Sequence, residues 1–146
     1  MCSHKMYSEA LVSHYKTPLN KGRLADETIY ESGYNPKCGD VIHLSIKISK
    51  DGSIEKIRFE SQGCMICQAS ASILTVHAEQ TKISEARQLI GEVINLFTRN
   101  PQDTDFQSLH PDIQALSTIR QYPTRTQCVT LAWHTLERAL NRSSQL

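Results

Sequence analysis

The sequence predicts an α+β fold, and two observations carry that expectation. Residues 41–49 alternate, with Val41, His43, Ser45 and Lys47 against Ile42, Leu44, Ile46 and Ile48, and residues 54–60 alternate again after Lys50-Asp51-Gly52-Ser53. The Asp-Gly pair favours a tight hairpin turn, so the two runs form an antiparallel pair. After Gly63-Cys64 the period changes, and Ala69, Ile73, Leu74 and Val76 recur at helical spacing. Cys64 therefore stands at a helix N-terminus, where unpaired amides and the helix dipole favour thiolate over thiol. Gly63 suits a strand-to-helix turn that a side chain would obstruct.

The other elements follow in order. Met6, Ala10, Leu11 and Tyr15 share one face of a short helix that stops before Thr17-Pro18. Asn20, Lys21 and Gly22 read as a turn, and Thr28-Ile29-Tyr30 as a first strand. The helix after Cys64 runs to about Gln80 and breaks at Thr81-Lys82-Ile83-Ser84. Ser84 is expected to cap the next helix, which carries Ala86, Leu89, Ile90, Val93, Ile94 and Phe97. Residues 99–111 read as a surface insertion. A short helix on Ile113, Leu116 and Ile119 ends at Tyr122-Pro123. Thr124 or Thr126 then opens a last helix with Val129, Leu131, Ala132, Leu136 and Leu140 inward, and residues 141–146 are expected to fray.

Composition bounds the function. At 146 residues the chain is expected to be one domain, residues 1–146, with enough core to dispense with disulfides. A formal charge of +1 supplies no field for holding nucleic acid or an anionic membrane. No apolar run approaches the roughly 20 residues of a membrane span, and the start does not read as a signal peptide. A soluble, cytoplasmic protein is expected. Five unevenly spaced cysteines suit metal or redox chemistry better than a secreted disulfide framework.

The chemistry gathers on four residues. Tyr34-Asn35-Pro36-Lys37-Cys38-Gly39-Asp40 is rich in turn formers and places a thiol and a carboxylate two positions apart. Positions i and i+2 of an extended segment face the same way, so Cys38 and Asp40 can reach one ion together. The hairpin returns Cys64 to the same end of the sheet, and Cys128 falls in the first turn of the last helix. Three thiolates and an exchangeable carboxylate suit four-coordinate zinc, or an iron-sulfur cluster with one labile ligand. The competing reading is four scattered, buried side chains. Cys67 reads as a neighbour one turn into its helix, and Cys2 as a tail residue. The six histidines hold no metal motif. His43 reads as a strand residue, His77 and His134 as helix-surface residues, and Trp133 as core or partner contact.

Four segments resemble the iron-sulfur assembly family that includes SufU, IscU and the N-terminal domain of NifU. They are His14-Tyr15-Lys16-Thr17-Pro18-Leu19-Asn20-Lys21-Gly22, Asn35-Pro36-Lys37-Cys38-Gly39-Asp40, Gly63-Cys64 with Ala69-Ser70-Ala71-Ser72, and Arg125-Thr126-Gln127-Cys128-Val129-Thr130-Leu131-Ala132-Trp133. The resemblance implies a small antiparallel β-sheet with helices packed on one side, and metal or cluster ligands at Cys38, Asp40, Cys64 and Cys128. Two features resemble the SufU branch: Gln127 in place of a histidine before the last cysteine, and an extra segment at about 99–122. That branch implies a zinc protein that accepts persulfide sulfur from a pyridoxal-phosphate cysteine desulfurase and passes it to downstream cluster assembly proteins or apo acceptors. Arg125 would help dock the desulfurase or switch ligands. Cys128, in a helical turn able to move without disturbing the hairpin, is the expected persulfide acceptor. The wider family implies instead a scaffold on which a [2Fe-2S] cluster is assembled and transferred. A structural zinc domain for protein contact is the third reading.

Overall fold

The computed structural model describes residues 9–98 and 109–143. Its order is α1 (Glu9–Lys16), β1 (Ile29–Asn35), β2 (Asp40–Ile48), β3 (Ile54–Gln62), α2 (Met65–Ala78), α3 (Ile83–Thr98), α4 (Pro111–Ser117) and α5 (Thr126–Ser143). Two short 3₁₀ turns, Thr118–Gln121 and Pro123–Arg125, connect α4 to α5. Expectations for residues 1–8, including Cys2, and for 99–108 and 144–146 lie outside the described residues.

The three strands form an antiparallel sheet in the order β1-β2-β3. Alternation sets its faces, since successive side chains of a strand point to opposite sides. Ile42, Leu44 and Ile46 of β2 sit beside Ile57 and Phe59 of β3, and all five are fully buried. Helices α2 and α5 pack on the sheet and on each other, α1 packs on α2 and α4, and α3 packs on α5. This is the α+β architecture with helices on one side that the sequence predicts.

Two contacts show how closely the helices approach. Gly33 of β1 pairs with Ile42, and a Cβ there would meet Thr135 Oγ1 of α5 at 2.1 Å. Only a residue without a side chain lets α5 lie this near the strand. The indole Nε1 of fully buried Trp133 donates to Ser70 Oγ at 2.9 Å, and Ser70 Oγ donates to the Val129 carbonyl at 2.7 Å. Trp133 is therefore core, and its one polar atom is satisfied within the α2–α5 interface.

Some local expectations change. Asn20, Lys21 and Gly22 are more than a turn: Gly22 N–H donates to the Phe59 carbonyl at 2.8 Å, and Phe59 N–H donates to the Asn20 carbonyl at 3.0 Å. The segment thus covers the free edge of β3 with backbone bonds. Ser84 does not cap α3; Glu85 reaches back to accept from the Lys82 amide at 3.0 Å, and Ala86 N–H bonds the Lys82 carbonyl. A longer carboxylate at the third helical position closes the turn that a short hydroxyl was expected to close. Tyr15 and Val76, placed inward by periodicity, are each 36% exposed among the described residues, at the margins of their stripes. Among the described residues no helix is long and apolar enough to cross a membrane.

Candidate metal centre

The strand register carries three of the four candidate ligands, Cys38, Asp40 and Cys64, to one end of the sheet. Asn35 pairs with Asp40 where β1 turns into β2, and Val41 pairs with Gln62 where β3 ends. Cys38 thus lies in the β1–β2 turn, directly beside the Gly63-Cys64 exit of β3. Gly39 closes that turn at φ +71, a left-handed conformation that costs a side-chain-bearing residue free energy. Cys64 is the N-cap of α2, and its backbone N–H donates to Asp40 Oδ1 at 3.1 Å. The first turn of α5 brings Cys128 over the same point, with its Sγ 3.7 Å from Cys38 Sγ.

Asp40 is fully buried. Asn35 holds its other oxygen, Nδ2 to Oδ2 at 3.4 Å, and Asn35 is itself fixed by the Lys37 amide on its Oδ1 at 3.2 Å. A Cβ on Gly63 would lie 2.3 Å from Asp40 Oδ1, so the carboxylate occupies the space a side chain at 63 would fill. Among the described residues no cationic side chain pairs with this carboxylate. A buried carboxylate among thiols and without a cation is costly to keep ionised, and a metal ion bound there would supply the missing charge.

The thiols are unequal. The hydrogen bond with Cys128 is the largest influence on Cys64 and pulls its thiol down to about 6; burial and the Asp40 charge oppose it, while the amides of Cys67 and Ile66 in the first helical turn assist. Cys128, sharing that bond and desolvated, is pushed well above the ordinary thiol range. The shared contact thus shifts the two thiols in opposite directions. Burial first, then the negative fields of Asp40, Cys64 and Cys38, pushes Cys67 up to about 12. In metal-free protein, residue-resolved alkylation by iodoacetamide should give Cys64 a rate that climbs with pH through a midpoint near 6, with Cys67 unmodified over the same range. A Cys64 profile matching that of an unfolded control peptide would contradict this assignment.

Among the described residues, the ligand atoms of Cys38, Asp40 and Cys128 lie within 4.8 Å of one another. Cys64 is not in that mutually close set; it joins through its thiol to Cys128 and its amide to Asp40. Exposure separates them further, since Cys38 is exposed, Cys64 half-buried, and Asp40 and Cys128 fully buried. An open groove beside Cys38 is lined by Lys37, Thr124, Arg125 and Gln127. Gln127 is exposed and Arg125 half-buried, so both stand at the rim of the site. Sequence reading took Asn35 as a turn former and as part of the family-like segment, with no role at the site. The signal was its place five residues before Asp40, but the buried amide–carboxylate contact exists only once the hairpin closes.

The model of the NifU-like N-terminal domain matches residues 6–142. The chain is 35% identical over 140 residues to the iron-sulfur cluster assembly scaffold protein IscU of Thermotoga maritima, covering 96% of each chain. It is also 35% identical over 135 residues to the zinc-dependent sulfurtransferase SufU of Bacillus subtilis, covering 92% of this chain and 89% of that protein. A crystal structure of a putative iron-sulfur cluster assembly scaffold protein for the SUF system from Fervidobacterium islandicum superposes with a TM-score of 0.85 at 30% identity, over 94% of this chain and 98% of that one. With a three-stranded sheet that delivers Cys38, Asp40 and Cys64 to one end and a last helix that closes over them, the chain belongs to the NifU-like N-terminal domain family.

Proposed function

We propose that this protein acts in iron-sulfur cluster assembly as a zinc-dependent acceptor and carrier of persulfide sulfur, working with a pyridoxal-phosphate cysteine desulfurase. The observation that carries this reading is the juxtaposition of an exposed thiol, Cys38, with a buried set of Asp40, Cys64 and Cys128. The similarity to a protein named as a zinc-dependent sulfurtransferase supports it. Cys38, Asp40, Cys64 and Cys128 would hold the ion, and the donor set fits: three soft sulfurs and a carboxylate that, among the described residues, no salt bridge balances. Zinc bound there would keep the thiols deprotonated and shield them from oxidation.

The chain's own residues set up the transfer. Asn35 and the Cys64 amide orient Asp40, and Gly63 leaves room for it. The sequence placed the acceptor at Cys128, yet that thiol is 0% exposed beneath Cys38. An incoming persulfide meets Cys38 first, so burial supports moving the acceptor role there, with Cys128 as its inner neighbour. Arg125 and Lys37, lining the same groove, supply cationic groups where a desulfurase would dock.

A second reading has support of its own. The same four ligands suit a [2Fe-2S] cluster as cargo, and the relative from Thermotoga maritima is named a scaffold. Metal and acid-labile sulfide content of protein purified without oxygen, followed by desulfurase turnover with and without it, separates the two. One zinc per chain, no sulfide and stimulated turnover are expected. Iron with matching sulfide and no stimulation would replace the carrier with the scaffold.

A further inference from the structure

Away from the thiols, α1, α2 and the start of α4 meet at a cluster that the sulfur chemistry does not use. His77 Nε2 lies 3.0 Å from Asp112 Oδ2, His14 Nε2 3.3 Å and His110 Nδ1 3.9 Å from the same oxygen. The rings of His77 and His110 meet edge to face at 4.3 Å between centroids. From sequence His77 reads as a surface residue, but its side chain is only 16% exposed, because residues 110–112 fold across it. Among the described residues, His77, His110 and Asp112 each offer one ligand atom within 4.8 Å of the others.

We propose that His77, His110 and Asp112 form a second site for a divalent transition-metal ion, separate from the thiol site, that ties α4 to α2. Two imidazoles and one carboxylate are a donor set for zinc, nickel or cobalt, and their sulfur-free chemistry distinguishes the site from the first. Bonds of about 2.0–2.1 Å place neighbouring ligand atoms roughly 3.0–3.4 Å apart on a tetrahedral or octahedral ion. The His77–Asp112 separation already has that value, so the ion replaces the proton between them with little movement. Binding through His110 Nδ1 releases the Asp112 amide, which donates to that nitrogen at 3.1 Å, to water at an exposed helix end.

His14 acts as the positioning residue. Its Nδ1 lies 2.8 Å from Ser72 Oγ, which also accepts from the Leu19 amide at 2.9 Å. A ring nitrogen 3.3 Å from a carboxylate oxygen must donate to it, so Nε2 carries the proton toward Asp112 and, in the neutral ring, Nδ1 accepts from the Ser72 hydroxyl. A hydrogen bond from outside the ligand set, here from His14 to Asp112, orients a ligating carboxylate. His110 is the most open member, with its side chain 55% exposed, so ions and water enter from its side.

The test uses the untagged full chain with its first zinc in place, titrated with Co²⁺ and followed by calorimetry and visible absorption. A second equivalent should bind without any sulfur-to-cobalt charge-transfer band. His77→Ala and His110→Ala should each weaken it at least tenfold, with the first zinc retained and the far-ultraviolet circular dichroism unchanged. His110→Ala removes a mostly exposed ring, so it keeps the test valid if His77→Ala disturbs packing. A stoichiometry of one, a second ion with sulfur charge transfer, or a second ion that survives both substitutions would reduce the cluster to a hydrogen-bond hub and overturn the proposal.

Discussion

Replacing Cys38 with serine is expected to stop sulfur acceptance from a cysteine desulfurase, lowering it by about 10²-fold or more, as loss of an attacking nucleophile does. The argument is one of access. Thiol exchange needs the attacking sulfur to approach the terminal sulfur of the enzyme's persulfide in line, and Cys38 is the exposed thiol of the cluster while Cys128 is fully buried. The Cys38 thiolate attacks the outer sulfur, a new S–S bond forms on Cys38, the old S–S bond breaks, and the desulfurase cysteine leaves as a thiolate. No net oxidation or reduction is required.

The companion variant Cys128→Ser should bind zinc more weakly but still gain persulfide at Cys38 when zinc is supplied. Brief reaction of the wild-type protein with desulfurase and cysteine, then alkylation and peptide mapping, reads the site directly. Persulfide on Cys128 with Cys38 unmodified would return the acceptor role to Cys128, where the sequence placed it. It would also require α5 to move its first turn outward during docking.

Gly63→Ala is expected to have the second large effect. The added Cβ would lie 2.3 Å from Asp40 Oδ1 and 3.1 Å from Asp40 Cα, and the second of these is backbone, which cannot rotate away. Overpacking of this kind costs about 1–3 kcal/mol. Displacing the carboxylate should also weaken zinc binding by about 10–100-fold, the usual scale for a disturbed ligand environment. Gly52→Ala serves as the control. It sits in the far hairpin turn at φ +83 with nothing within 4 Å of a new Cβ, so it carries backbone strain alone. Its stability should fall by about 1 kcal/mol with zinc affinity unchanged. Chelator competition and thermal unfolding on both variants measure the two effects. Unchanged affinity in Gly63→Ala would mean that Asp40 is not held where the site needs it.

Much of the fold was legible in the chain because it is written in local periodicity. The hydrophobic alternation of β2 and β3, the change to helical spacing after Gly63, and the apolar stripe of α5 each need only a few neighbouring residues to be read. The convergence of Cys38 and Cys64 was legible too, since an antiparallel pair joined by a short turn has its other ends together. Tertiary structure decided what depends on burial and on contacts between distant elements. The exposure of Cys38 and burial of Cys128 arise from the packing of α5 over the sheet. The lowering of the Cys64 thiol arises from Cys128, which lies 64 positions away in the chain. The gathering of His14, His77, His110 and Asp112 requires three helices to meet. Residue type and spacing determine which elements form and which donors are available; solvent exclusion, which sets the reactivity of each donor, is a property of the assembled fold.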